Sequence, residues 1–227
     1  MKPQPYNKIA EQAYDVIRNS GLSDKTLSQY FEGCFNDLWK DLDLYMCWIC
    51  VSCLRLQRFS YGWGKKPRKC AVCGSPTYEV ATFQSRASYV GRMFEWACTY
   101  LLKESVNIHS DHRSHKTKLY DFELKPDVVV EAKGSPSYIL NPDGTTSLLG
   151  RAGLSRSDTR KKAFANARAW RRRFPRGHFY IITNSLPKEL FAYRDDDITG
   201  VYDISRLNQF NDFVSDLRRH KPVASAQ

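Results

Sequence analysis

Along the first forty residues, apolar side chains recur at three- and four-residue intervals. Ile9, Ala13, Val16 and Ile17 share one face of IAEQAYDVIRNSG, so a single amphipathic helix is expected there, stopped by Gly21. Ser23 and Asp24 can cap a second helix, TLSQYFEGCFNDLWKDL, in which Leu27, Tyr30, Phe31, Phe35 and Leu38 form an apolar stripe. Both helices read as packing elements. From Ser85 onward, helical and strand periods alternate. RASYVGRMFEWACTYLLKES turns Val90, Phe94, Ala97, Tyr100 and Leu101 to one side. A polar turn, NIHSDHRSHKT, follows it. LYDFEL and VVVEAK are strand-like, and the β-branched run Val128 to Val130 marks the second as a buried strand. SYILNPDGTTSLLG reads as a loop or hairpin turning at Asn141-Pro142-Asp143-Gly144. TRKKAFANARAWRRRF is a long basic helix capped by Ser157 or Asp158 and ended by Pro175. HFYIITN is a buried strand, GVYDI a shorter one, and SRLNQFNDFVSDLRR a closing helix. This order predicts an α/β fold with a mixed sheet flanked by helices.

The cysteines divide the chain further. Five of the seven fall between Cys47 and Cys73, an uneven distribution that suits a metal site better than a disulfide framework. Two Cys-x-x-Cys turns separated by a basic, Gly-containing hairpin bring four thiolates together, the tetrahedral sulfur cage that zinc prefers. The expected zinc ligands are Cys50, Cys53, Cys70 and Cys73, with Cys47 an alternative in the first pair, since Cys47-x-x-Cys50 has the same spacing. The expected organisation is N-terminal helices over 1–44, a zinc-ribbon-like module over 45–84, an α/β core over 85–219 and a tail over 220–227.

Charge adds a partner. The 227-residue chain carries a formal charge of +11, densest between Arg151 and Arg176, which points to a polyanion and, by default, to DNA. Arg160, Lys161 and Lys162 stand at the start of the basic helix, where the helix dipole also favours a phosphate. No apolar run is long enough to span a bilayer and MKPQPYNKIAEQ lacks a secretion signal, so no membrane partner and a cytoplasmic location are expected. His109, His112 and His115 lie in the polar turn and read as loop histidines, because no spacing organises them.

The stretch YDFELKPDVVVEAKG carries the candidate chemistry. With Lys125-Pro126-Asp127 as the turn of an antiparallel hairpin, Leu124 faces Val128, Phe122 faces Val130 and Asp121 faces Glu131. Lys133 then points to the same face as Glu131. Two opposed carboxylates repel unless a cation sits between them. Mg²⁺ takes hard oxygen ligands from one or two carboxylates and a substrate phosphate, and a nearby lysine can orient water or stabilise developing charge.

Glu131-Ala132-Lys133, with an acidic residue upstream on the neighbouring strand, resembles the PD-(D/E)xK nuclease superfamily. The order of elements from Ser85 to about Arg219 is similar to the α-β-β-β-α-β core of that superfamily. The resemblance implies a restriction-endonuclease-like fold, DNA phosphodiester hydrolysis with Mg²⁺, and an additional active-site glutamate on the preceding helix, which GRMFEW would supply as Glu95. It also implies a homodimer, since cutting both strands of a duplex takes two centres. Asp127 stands in a literal Pro-Asp dipeptide but only four residues before Glu131, about 13 Å along one strand. Asp121 is therefore the preferred metal-binding aspartate, and Asp127 remains the alternative through a bulge or bend. The expected activity is that of a type II restriction endonuclease cleaving double-stranded DNA at a specific sequence. A repair, junction-resolving or mobile-element nuclease of the same fold, or a non-catalytic zinc-ribbon DNA-binding protein, are the competing readings.

Overall fold

The computed structural model describes residues 6–41, 47–50, 52–53, 56–58, 69–79, 83–108, 111–112, 119–125, 127–140, 144, 146–148, 151–191 and 193–219. At the N-terminus the expected first helix is two: α1 (Tyr6–Ala13) and α2 (Asp15–Ser20), meeting at Tyr14. Gly21, at φ 74°, caps α2 in a backbone conformation that favours glycine. Ser23 then caps α3 (Asp24–Asp41) reciprocally with Thr26. The Thr26 N–H donates to the Ser23 hydroxyl at 3.1 Å and the Ser23 N–H to the Thr26 hydroxyl at 2.9 Å. The whole predicted stripe of α3 is buried, from Leu27 to Leu38.

Three short strands, β1 (Cys47–Cys50), β2 (Leu56–Arg58) and β3 (Thr77–Glu79), form an antiparallel sheet in the order β2-β1-β3. After it, α4 (Phe83–Val106) leads into the main sheet. That sheet holds β4 (Asp111–His112), β5 (Phe122–Lys125), β6 (Val128–Ala132), β9 (His178–Thr183) and β10 (Gly200–Asp203), in the order β10-β9-β6-β5-β4. Strands β6, β9 and β10 are parallel, whereas β5 and β4 are antiparallel additions, so the sheet is mixed. The predicted polar turn thus contributes a short strand, His112 pairing with Phe122; positions 109 and 115 lie outside the described residues. A separate ribbon pairs β7 (Tyr138–Leu140) with β8 (Thr146–Leu148), as the sequence suggests, with Gly144 at φ 79° between them.

Helices cover both faces of the main sheet. Val128, Val130 and Ala132 join Tyr180, Ile182 and Tyr202 in a core closed by α1, α3, α4 and the last helix, α6 (Leu207–Arg219). Val129, Phe179, Ile181 and Val201 face the other way, onto Ala163, Ala167 and Trp170 of α5 (Ser157–Arg173). All five residues of β6 are buried because the strand has a neighbour at each edge and a helix on each face, which is why its sequence runs apolar without alternating. Arg156, not Ser157 or Asp158, occupies the N-cap of α5; Asp158 in the first turn instead holds the Arg156 guanidinium at 2.8 Å. No described helix is long and apolar enough to cross a membrane.

Candidate functional site

The hairpin β5–β6 sets the site. Phe122 pairs with Val130 and Glu123 with Val129, as expected, but Lys125 rather than Leu124 pairs with Val128. A β-bulge at Leu124 takes up the extra residue and leaves only positions 126 and 127 between the paired ends. At the other end the ladder stops at Phe122, so the expected pairing of Asp121 with Glu131 is not part of it, and Asp121 stands just before β5. There the Asp121 N–H donates to the Val130 carbonyl at 2.9 Å, and the Asp121 carboxylate accepts the Ala132 N–H at 2.7 Å.

Asp121, Glu131 and Lys133 converge. The Lys133 ammonium lies 2.5 Å from Glu131 Oε1 and 3.3 Å from Asp121 Oδ2, and also donates to the Ala132 carbonyl at 3.2 Å. Both carboxylates are buried, Glu131 with 2% of its surface exposed. Burial pushes the Glu131 carboxyl up to about 7, and the nearby Asp121 charge adds to the rise, against the opposing pull of Lys133. Burial alone would lower Lys133, but the Glu131 and Asp121 carboxylates overturn that and hold the ammonium as a cation. One ammonium therefore does not fully compensate two buried acids. Three hard oxygens, from Asp121, Glu131 and Ala132, share it, and such a donor set fits a hard divalent cation.

The backbone around Lys133 is held in place. Its N–H donates to the Ile182 carbonyl at 2.9 Å, and its carbonyl accepts the Thr183 hydroxyl at 2.7 Å. Gly134 follows directly under α4. A Cβ there would sit 2.2 Å from Phe94 Cγ, so no other residue lets the chain pass.

Asn166, on α5, is a site residue that the sequence reading missed. Its carboxamide donates to Glu131 Oε1 at 2.9 Å. The available signal was a neutral amide bordering the Ala163, Ala167, Trp170 face of an otherwise basic helix. Lys162, exposed and four residues earlier, lies one turn away on the same helix face as Asn166. Lys161 is exposed as well, whereas the Arg160 guanidinium pairs with Glu189 at 3.1 Å.

Glu95 lies on α4 and is half-buried. Burial raises the Cys98 thiol, and the Asp121 and Glu95 charges raise it further, so both acids are electrostatic neighbours of one buried side chain. Asp127 is not part of the cluster. It is exposed at the opposite end of β6, where its carbonyl accepts the His178 N–H at 2.7 Å.

A second cluster lies in the small sheet. The sulfurs of Cys50, Cys53, Cys70 and Cys73 all fall within 4.8 Å of one another, so the group could hold a metal ion such as zinc. Cys50 and Cys73 Sγ are 3.4 Å apart, and Cys53 and Cys70 Sγ 3.8 Å. Tetrahedral zinc with bonds of ~2.3 Å sets sulfurs ~3.8 Å apart. The Cys-x-x-Cys turns also aim amides at sulfur: Ser52 and Cys53 N–H donate to Cys50 Sγ at 3.3 and 3.4 Å, and Val72 N–H to Cys70 Sγ at 3.4 Å. Hydrogen bonds from Ser75 pull the Cys73 thiol down to about 6, favouring the thiolate that binds metal. Cys47 is paired across the sheet with Arg58 and stands three residues before Cys50; its side chain lies outside the described residues.

Fold and sites together define an α/β protein with a mixed sheet, helices on both faces and a four-cysteine cluster. No known family model matches the chain, and no characterised protein or solved structure matches it.

Proposed function

We propose that the protein is a Mg²⁺-dependent endonuclease of the PD-(D/E)xK type, with a restriction-endonuclease-like core that cleaves double-stranded DNA at a specific sequence. The observation that carries this reading is the meeting of the Asp121 and Glu131 carboxylates on the Lys133 ammonium at the end of a buried strand. Asp121 and Glu131 would hold the metal together with a phosphate oxygen of the DNA. When bound, Mg²⁺ supplies Lewis-acid stabilisation of the phosphate and lowers the pKa of a coordinated water.

The chain's own groups do the rest. Lys133, beside both carboxylates, would orient the attacking water and stabilise the charge developing on the phosphate. Asn166 fixes Glu131 Oε1, so the second carboxylate oxygen keeps one orientation. Glu95 adds negative charge from the α4 side. Lys162, one helical turn from Asn166, would offer a phosphate contact, Lys161 is exposed on the same basic helix, and the total charge of +11 favours a polyanion. The four-cysteine cluster is closed and all-sulfur, so its zinc would support structure. A homodimer would present one such centre to each strand of the duplex.

The test is incubation of purified protein with supercoiled plasmid, with and without Mg²⁺. The expected result is metal-dependent cutting, lost in Asp121→Ala and Glu131→Ala. Sequencing the fragment ends from a DNA library would then yield a common motif for a restriction enzyme, and scattered or structure-dependent ends for a repair, junction-resolving or mobile-element nuclease. No cleavage of linear, supercoiled or branched DNA with Mg²⁺ or Mn²⁺ would leave a zinc-stabilised DNA-binding protein.

A further inference from the structure

Beside the carboxyl ends of β6 and β9 lies a cleft of about 320 Å³ that the reaction scheme above does not use. One wall is α3, through Ser28, Phe31, Glu32 and Phe35; the other is the segment Pro136 to Tyr138, which begins three residues after Lys133. Arg151 and Asn184 complete the rim. The walls are fastened together. The Asn36 side chain accepts the Leu140 N–H at 3.0 Å, and the Tyr138 hydroxyl hydrogen-bonds to Glu32.

The lining is polar and directional. The Glu32 carboxylate accepts the Ser28 hydroxyl at 3.2 Å in addition to Tyr138, which holds it as an oriented acceptor. Other polar groups are already engaged: Asn184 exchanges hydrogen bonds with the Ser135 backbone at 3.1 Å, Ser205 donates to Asp203 at 2.6 Å, and Ser155 and Ser185 bond each other at 3.0 Å. Arg151 is exposed and makes no ion pair among the described residues. The cleft thus offers one fixed acceptor and one uncommitted fork of donors, with Tyr138 as an aromatic wall. The volume is at the lower end for small-ligand pockets, about 300–1,000 Å³.

We propose that this cleft is a subsite for a single guanine base swung out of bound DNA. The inference rests on the nuclease reading for the source of that base, not for a position against the acidic cluster, since Glu131 turns to Asn166 on α5 whereas the cleft is walled by α3. Among the four bases, guanine alone presents two adjacent donors, N1–H and N2–H, on its Watson–Crick edge, the pattern a carboxylate accepts. Its O6 and N7 acceptors match a guanidinium. Adenine, cytosine and thymine each turn a ring nitrogen lone pair or a carbonyl toward such a carboxylate and are repelled. Enzymes that extrude a base read its Watson–Crick edge by hydrogen bonds and hold its face against aromatic side chains, and these groups are present here.

The experiment is calorimetric titration of the full chain with dGMP, dAMP, dCMP and dTMP in metal-free buffer, so that neither cleavage nor metal binding contributes. The expected result is saturable dGMP binding at least tenfold tighter than that of the other three, with the preference lost in Glu32→Gln and in Arg151→Ala. Arg151 is exposed, so its variant keeps the test decisive should E32Q fold poorly. Equal affinities for all four nucleotides, no saturable dGMP binding, or unchanged binding in both variants overturns the proposal. A protein that cuts DNA but shows no dGMP preference loses this subsite alone. One that binds dGMP selectively but never cuts loses the nuclease reading and keeps the base site.

Discussion

Asn166 donates its carboxamide to Glu131 Oε1 across 2.9 Å, tying the basic helix α5 to the end of the buried strand β6. Glu131 Oε1 also receives the Lys133 ammonium at 2.5 Å, so one oxygen takes two donors. Outer groups that orient a metal-binding carboxylate typically contribute 10–100-fold to metal affinity or activity. Asn166→Ala is therefore expected to fold normally and to lower the cleavage rate by about that factor, with a higher Mg²⁺ requirement. Plasmid cleavage across a Mg²⁺ titration measures both, and an unchanged requirement would make Asn166 a packing residue.

Asp121 and Asp127 separate cleanly. Asp121 reaches the cluster, with its carboxylate on the Ala132 N–H and the Lys133 ammonium, whereas Asp127 is exposed at the far end of β6 and acts through its backbone carbonyl. Asp121→Ala is expected to abolish metal-dependent cleavage, while Asp127→Ala keeps it within about twofold, since a surface substitution leaves that carbonyl in place. Cleavage lost in D127A and kept in D121A would reverse the assignment.

Glu131 also sets a pH dependence of stability. Its carboxyl is raised to about 7 in the folded protein, above its value in the unfolded chain, so the folded state binds the extra proton between about pH 4.5 and 7. The contribution of this group to stability is present at acid pH and declines as pH rises through that window, by up to roughly 3 kcal/mol. In metal-free buffer, Glu131→Gln is expected to flatten the slope of stability against pH between 5 and 7. Urea unfolding at several pH values checks it, and adding Mg²⁺ to the wild type should offset the loss at neutral pH.

Lys133 is the charge partner of two buried acids. Removing one member of a buried ion pair leaves an uncompensated charge, at a cost of about 3–5 kcal/mol. Lys133→Ala is expected to lose cleavage and to unfold more easily at pH 8 than at pH 5, where Glu131 is protonated. Thermal melts at the two values read the difference.

The four-cysteine cluster predicts one zinc per chain. Cys70→Ser and Cys73→Ser should each bring the metal content, measured by elemental analysis, close to zero. The melting temperature should fall with it, because binding free energy at a structural zinc site is also folding free energy.

The basic helix has charges of unequal use. Lys162 is exposed on the face of Asn166, whereas Arg160 is paired with Glu189. Lys162→Ala is expected to weaken DNA binding in proportion across sequences and to reduce the slope of log affinity against log salt by about one, with a smaller effect for Arg160→Ala. Fluorescence anisotropy at several salt concentrations distinguishes them.

Local sequence determined the elements whose cause is local. The stripe from Leu27 to Leu38, the β-branched run of β6 and the Cys-x-x-Cys pairs each carry their periodicity or spacing within a few residues, and each lies where expected. The pairing of Phe122 with Val130 was legible too, because two short strands joined by a turn leave few registers. Tertiary structure alone decided the rest. The bulge at Leu124 depends on which residues the core accepts along the hairpin, and the strand at Asp111 forms only because β5 offers an open edge. The partnership of Asn166 with Glu131 joins residues 35 positions apart on a helix and a strand. No short window of sequence encodes such a contact, since it arises only when helix and sheet pack face to face and a buried carboxylate must find its donors.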